Sequence, residues 1–225
     1  MLLQPEQRTK LDPSDDAYFY DMPRFVTHVD EGFIQRLTDL YRQRLSPNHR
    51  ILDLMSSWVS HLPEEMAFDW VEGHGMNAEE LAKNPRLNHF FVQNLNDNPR
   101  LPLEDESFDA VLNTVSVQYL QQPEGVFAEI YRVLKPGGVA VVSFSNRMFY
   151  QKAIAVWRDG SEAERVALVK GYFKSVPGFS APEVIAYAPP LPGILQMLGF
   201  AMADPFYAVM ARRLPNPGNP PPSAS

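Results

Sequence analysis

Apolar side chains at Phe33, Ile34, Leu37, Leu40, Tyr41 and Leu45 recur at the spacing of one helical face, and Pro47 ends the pattern. From residue 50 the rhythm changes to short apolar runs separated by longer amphipathic stretches. Residues 51–55, 67–72, 90–93, 108–115 and 139–144 predict strands. Residues 77–83 and 124–134 predict helices, the first capped by Asn77. The run 139–144 is uncharged and rich in β-branched residues, which suits a central strand. Strands and helices alternating at this spacing predict a parallel sheet with right-handed crossovers. A helical segment is expected over 148–175. Residues 200–203 and 206–212 are expected to close the sheet as an antiparallel edge hairpin turning at Asp204-Pro205. The expected fold class is α/β: a Rossmann-like, doubly wound, mostly parallel seven-stranded sheet with an antiparallel edge hairpin.

The flanks differ in character. Residues 1–16 are polar, with Pro5, Pro13, Asp12, Asp15 and Asp16, and read as a loose lead-in. In residues 17–30 the apolar Tyr18, Phe19, Tyr20, Met22, Phe25 and Val26 alternate with Asp21, Arg24, His28 and Asp30. Residues 214–225 hold Pro215, Pro217, Pro220, Pro221 and Pro222 and read as an extended or disordered tail. The expected organisation is an N-terminal helical lid or extension over 1–48, a Rossmann domain over 49–213 and a Pro-rich tail over 214–225.

Bulk properties then narrow the chemistry. The 225 residues suffice for one domain with a sizeable core. A formal net charge of −7 argues against a nucleic-acid partner, which calls for a basic patch. Cysteine is absent, which excludes disulfides, a thiolate metal site and a cysteine nucleophile. The five histidines lack metal-ligand spacing, so no metal is expected. Residues 1–10 show no secretory pattern and no apolar run reaches the length of a membrane span, so a cytoplasmic location is expected.

The segment with the most chemical content is Arg50-Ile51-Leu52-Asp53-Leu54-Met55-Ser56-Ser57-Trp58-Val59-Ser60-His61. An apolar run ending in an acid and a turn is how nucleotide-binding α/β domains open. Glycines normally let that turn approach a ligand, yet this one has none; Met55, Ser57 and Val59 stand where small or left-handed residues are expected. Three further segments complete the pattern. They are Val71-Glu72-Gly73-His74-Gly75-Met76, the block from Leu101-Pro102-Leu103 to Phe108-Asp109, and Arg132-Val133-Leu134-Lys135-Pro136-Gly137-Gly138.

In order and spacing these segments resemble class I S-adenosylmethionine-dependent methyltransferases of the small-molecule type. Those carry an LPF-x-x-x-x-FD block and an R-x-LKPGG turn. Leu103 replaces the Phe of that block, and the resemblance covers roughly residues 48–146. It implies a methyltransferase with S-adenosylmethionine as cofactor, S-adenosylhomocysteine as product and a small-molecule substrate. It implies that Asp53, Met55, Ser56 and Ser57 form the cofactor loop. Gly73, His74, Gly75 and Met76 match the end of the second strand, where Gly75 stands in place of the ribose-holding acid and leaves that task to His74, Asn77 or another residue. Asn94, Leu95 and Asn96 match the segment after the third strand, although counting back from Leu101 selects Asp97. Asn113, Thr114 and Val115 match the methionine side.

On the acceptor side, the candidates for catalysis are His61, Tyr20 and His28, and those for substrate binding are Tyr20, Arg24, His28, Asn146 and Arg147. The 18–30 segment serves equally as a lid over the acceptor or as cover for a sheet edge. Arg147 serves equally as an anion holder or a surface ion-pair partner. The alternative function is an inactive methyltransferase-like protein that binds an adenosyl ligand or a protein partner.

Overall fold

A computed structural model describes residues 2–188 and 203–215. Seven strands, β1 (Arg50–Asp53), β2 (Trp70–Gly75), β3 (His89–Val92), β4 (Phe108–Thr114), β5 (Leu134–Phe144), β6 (Glu183–Tyr187) and β7 (Phe206–Arg212), form one sheet in the order β3-β2-β1-β4-β5-β7-β6. The first five are parallel, and β7 runs antiparallel to both β5 and β6. The order reverses between β1 and β4, which opens a crevice at the carboxyl ends of these strands.

Period-two alternation divides the core into two layers. Ile51, Ala110, Leu112, Val139 and Val141 pack on one face with Phe33, Leu37, Leu40 and Tyr41 of α2 (Glu31–Arg44). Leu52, Val111, Ala140 and Val142 pack on the other with Val126, Phe127 and Ile130 of α4 (Pro123–Val133) and Val169, Tyr172 and Phe173 of α6 (Glu162–Lys174). Asn77 caps α3 (Ala78–Lys83) by accepting from the amides of Glu79 and Glu80.

The chain departs from the sequence reading in four places. The segment expected over 148–175 is split into α5 (Ala155–Arg158) and α6, because Ser161 starts a new helix through a reciprocal capping box with Glu164. The antiparallel edge exists, with β7 paired to β6; of the segment 200–203 expected as its other strand, residues 200–202 lie outside the described residues and Ala203 is not in a strand. Strand β2 sits three residues later than 67–72, since pairing with β1 sets Ile51 opposite Val71.

The fourth departure is the N-terminal segment, which is packed rather than loose. Leu3 is buried, Pro5–Arg8 form a 3₁₀ turn, and Arg8 grips Glu124 at 2.5 and 2.9 Å. Polar residues here pair with one another instead of with water. The fully buried Lys152 ammonium contacts Asp12 at 3.0 Å and Asp16 at 3.4 Å, and Lys10 contacts Asp16 at 2.5 Å. These contacts hold α1 (Asp16–Tyr20) and the following strap, residues 20–29, over the carboxyl ends of the strands. Helix α2, included in the expected lid over 1–48, belongs instead to a core layer.

Candidate active site

Beneath the strap lies a cleft of about 1200 Å³, its open mouth included, at the point where the strand order reverses. The loop after β1 forms its floor. Asp53 is buried, and its Oδ2 accepts from the Ser56 hydroxyl at 2.6 Å. Burial pushes the Asp53 carboxyl up to about 6, against the opposing pull of hydrogen bonds from Ser56 and Ser60.

The loop turns without glycine by placing an ordinary residue in the left-handed region. Met55 has φ 58°, His61 53° and Val115, at the end of β4, 50°. All three line the cleft, and for the β-branched Val115 this conformation is costly. Residue-scale strain collected around one cavity is common at ligand sites.

His74 is the brace that holds the loop. Its Nδ1 accepts from the Met55 amide at 3.1 Å, and its Nε2 faces the Gln93 carbonyl at 2.9 Å, which fixes the Nε2–H tautomer. Burial lowers its pKa to about 4, so the ring is neutral, although the bond to Gln93 acts in the opposite direction. The Ser56 amide donates to the His74 carbonyl at 2.6 Å. The loop thereby crosses the end of β2, and a β-carbon on Gly75 would stand 2.5 Å from the Ser56 carbonyl oxygen. The acid absent from position 75 therefore has no room there.

The strap forms the roof. The Trp58 indole donates to the Val26 carbonyl, the Arg24 amide donates to Glu80, and the Asn77 side chain donates to the carbonyls of Tyr20 and Asp21. The Arg24 guanidinium lies 4.5 Å from the Phe19 ring centre and 5.5 Å from that of Phe149. Burial raises the Tyr20 phenol well above its ordinary value. His28 packs edge-on against Phe149, and desolvation holds both His28 and His61 below the usual imidazole range. The Ser116 hydroxyl is buried at the cleft with no hydrogen-bond partner among the described residues.

Most of the residues named from sequence meet in this cavity: Tyr20, Arg24, His28, Asp53, Met55, Ser56, Ser57, His61, His74, Gly75, Met76, Asn94, Leu95, Asn96, Thr114 and Val115. Four do not. Gly73 abuts Leu87, 2.4 Å from where its β-carbon would lie, and Asn113 is buried with its amide on the Leu54 carbonyl. Asn146 is exposed outside the cleft, and Arg147 pairs with Asp204 at 2.7 Å. The alternative Asp97 is exposed and bonded to Asn94. His74 and Asn96 line the cleft but have their side-chain hydrogen-bonding groups engaged by protein. Sequence reasoning missed Glu80, Ser116, Tyr119 and Phe149. Only Glu80 left a trace, as a carboxylate on the third residue of a helix whose cap was recognised.

Comparison with known proteins agrees with this architecture. Residues 54–142 match the family model described as a methyltransferase domain. The demethylmenaquinone methyltransferase of Streptomyces avermitilis is 30% identical over 134 residues, 59% of this chain and 58% of that protein. The corresponding protein of Streptomyces griseus is 44% identical over 129 residues, 56% of each. The malonyl-[acyl-carrier protein] O-methyltransferase of a Marinomonas species matches more locally, 47% identical over 47 residues, 17% of its length. The chain thus spans between about a sixth and somewhat over half of the curated relatives it matches.

Among solved structures, the [4+2]-cyclase SpnF aligns with a TM-score of 0.58 at 19% identity, over 80% of this chain and 82% of that one. A phosphoethanolamine N-methyltransferase of Haemonchus contortus, solved with S-adenosylmethionine, aligns with a TM-score of 0.57 at 18% identity, over 84% of this chain and 54% of that one. Sheet order and cleft position define the class I S-adenosylmethionine-dependent methyltransferase fold. Over residues 54–142 the chain is thus similar to S-adenosylmethionine-dependent methyltransferases, and its first loop lacks glycine.

The residues present fit the cofactor. Met55, Met76, Leu95 and Leu120 would be apolar walls for a purine, and the unpartnered Ser116 hydroxyl would offer a polar contact.

Proposed function

We propose that this chain is a cytoplasmic enzyme that methylates a small-molecule acceptor. The observation that carries the reading is the roofed cleft at the carboxyl ends of β1, β2 and β4, with the Asp53 loop below and the strap above. S-adenosylmethionine supplies an electrophilic methyl on a sulfonium, and attack on it must be in line. Positioning and exclusion of water contribute most to such a transfer. The strap roofs the cleft, and Phe149 and Tyr119, stacked at 6.0 Å, give an apolar wall against which an acceptor can lie. His28 and His61 are neutral bases at the cleft. Either can take the acceptor's proton at a ring nitrogen, and Tyr20 can orient the acceptor through its phenol. The names of relatives, which include demethylmenaquinone and sterol methyltransferases, support a small-molecule acceptor.

Calorimetric titration with S-adenosylmethionine and S-adenosylhomocysteine tests the cofactor half. Millimolar ligand without heat of binding sinks the reading. Transfer of a labelled methyl group into a metabolite extract tests the other half. A second reading, adenosyl-ligand binding without turnover, is favoured by the consumption of the Met55 and Ser56 amides within the protein. It predicts binding with no transfer into any extract.

A further inference from the structure

Among the described residues three carboxylates line the cleft: Asp16, Asp53 and Glu80. Asp16 faces two ammonium groups, Lys10 at 2.5 Å and Lys152 at 3.4 Å. Asp53 is tucked under its own loop by the Ser56 hydroxyl. Glu80 differs from both. It is buried and forms no ion pair among the described residues, and its two oxygens meet only neutral donors. The Arg24 amide reaches Oε1 at 2.6 Å and the Ser57 hydroxyl reaches Oε2 at 2.5 Å.

Burying a carboxylate without a cation is costly unless its lone pairs find donors. An ionised carboxylate offers roughly four acceptor sites, and the protein fills two of them. The remaining capacity belongs to a group bordering the cavity. Position 75, at the end of the neighbouring strand, can carry no side chain because of the Ser56 carbonyl. Glu80 of α3, the helix that follows this strand, brings a carboxylate to the cleft instead.

We propose that Glu80 accepts the ribose hydroxyls of the adenosyl ligand, an assignment that rests on the cofactor reading above. A vicinal diol presents two donors side by side, and a carboxylate two acceptors, so the groups match in number and in donor–acceptor role. Carboxylates hold ribose hydroxyls in nucleotide-binding sheets of related topology. Because Arg24 belongs to the strap and Ser57 to the loop, Glu80 also joins roof, floor and sugar site through one side chain.

The test is calorimetry on the full chain with S-adenosylhomocysteine and its 2′,3′-dideoxy analogue. The wild type is expected to prefer the hydroxylated ligand by about tenfold to hundredfold, the range for hydrogen bonds to a charged group. In Glu80→Gln the preference should shrink to about threefold or less, since the charge-assisted part is lost. Should that variant fold poorly, Glu80→Asp keeps the charge and shortens the reach, and the preference should again collapse. A wild type that binds neither ligand overturns the cofactor reading itself. A wild type that binds both equally, or a preference that survives in the folded variants, overturns the role of Glu80 and leaves the cofactor reading standing.

Discussion

The carbonyl oxygen of Ser56 lies 2.5 Å from the point that a β-carbon on Gly75 would occupy. The loop after β1 and the end of β2 thus compete for one volume, and this chain gives it to the loop. Restoring an acid with Gly75→Asp should therefore not improve the site. We expect a loss of about 2 kcal/mol in stability from overpacking against backbone. Weaker S-adenosylhomocysteine binding should accompany it as Ser56 moves off the His74 carbonyl. A melting curve and a titration check both; tighter binding at unchanged stability would show that the loop yields readily.

Met55 occupies left-handed backbone at φ 58° while its side chain packs against the core. The two effects separate with two variants. Met55→Ala removes the packing and keeps the backbone cost; Met55→Gly removes both. Glycine should be the more stable of the two by about 1 kcal/mol, the reverse of the order in a helix. Chemical denaturation of the pair decides it.

Those residues also mark how far the sequence could be read. Period and strand–helix alternation depend on local spacing, so the parallel sheet, α2, α3 and α4 were legible. That the loop after Asp53 would border the cleft was legible from Asp53 and the segments downstream of it. The partner of β7 was not, because nothing local in Glu183–Tyr187 singles it out as a strand and only long-range pairing selects it. Nor was the packed N-terminus: Lys10, Asp12, Asp16 and Lys152 look solvated until folding brings together charges far apart in the chain. Gly73 and Asn113 were assigned by motif position, yet Gly73 abuts Leu87 and Asn113 holds the Leu54 carbonyl just after β1.

His74 and Asp53 should give opposite pH dependences. The folded His74 pKa of about 4 lies below the ordinary 6.5, so the stability linked to it is present above pH 6.5 and is lost as pH falls toward 4. The folded Asp53 pKa of about 6 lies above the ordinary 3.8, so its contribution is present below pH 3.8 and is lost as pH rises through 6. In the wild type the slopes largely cancel across this window. Relative to wild type, Asp53→Asn should steepen the gain in stability between pH 4 and 6. His74→Gln should flatten or invert it. Each difference should amount to at most about 3 kcal/mol over the window. Parallel difference curves for the two variants would contradict the assignment.

Lys152 ties the base of the roof to the body of the protein, with its ammonium fully buried between Asp12, Asp16 and the Ser14 carbonyl. Replacing it with methionine leaves these acceptors short of their cation, and such losses cost about 3 kcal/mol. We expect Lys152→Met to lower the melting temperature and to speed amide exchange selectively in residues 16–24. Exchange that rises uniformly along the chain would mean that Lys152 supports the fold at large and not the roof.

The acceptor half of the site turns on His28 and His61, the neutral imidazoles at the cleft. Neither ring nitrogen has a protein partner among the described residues, as a base awaiting an acceptor requires. If one of them takes the acceptor's proton, its alanine variant should keep S-adenosylhomocysteine affinity within about twofold. It should lose about a hundredfold or more in kcat, the usual yield of general-base catalysis. The other variant should change mainly KM. Because desolvation holds both rings below 6.5, the acid limb of wild-type kcat/KM should lie below that value, and the responsible variant should flatten it. An acid limb that survives in both variants would move the proton-accepting role elsewhere, with Asp53 next in line at about 6.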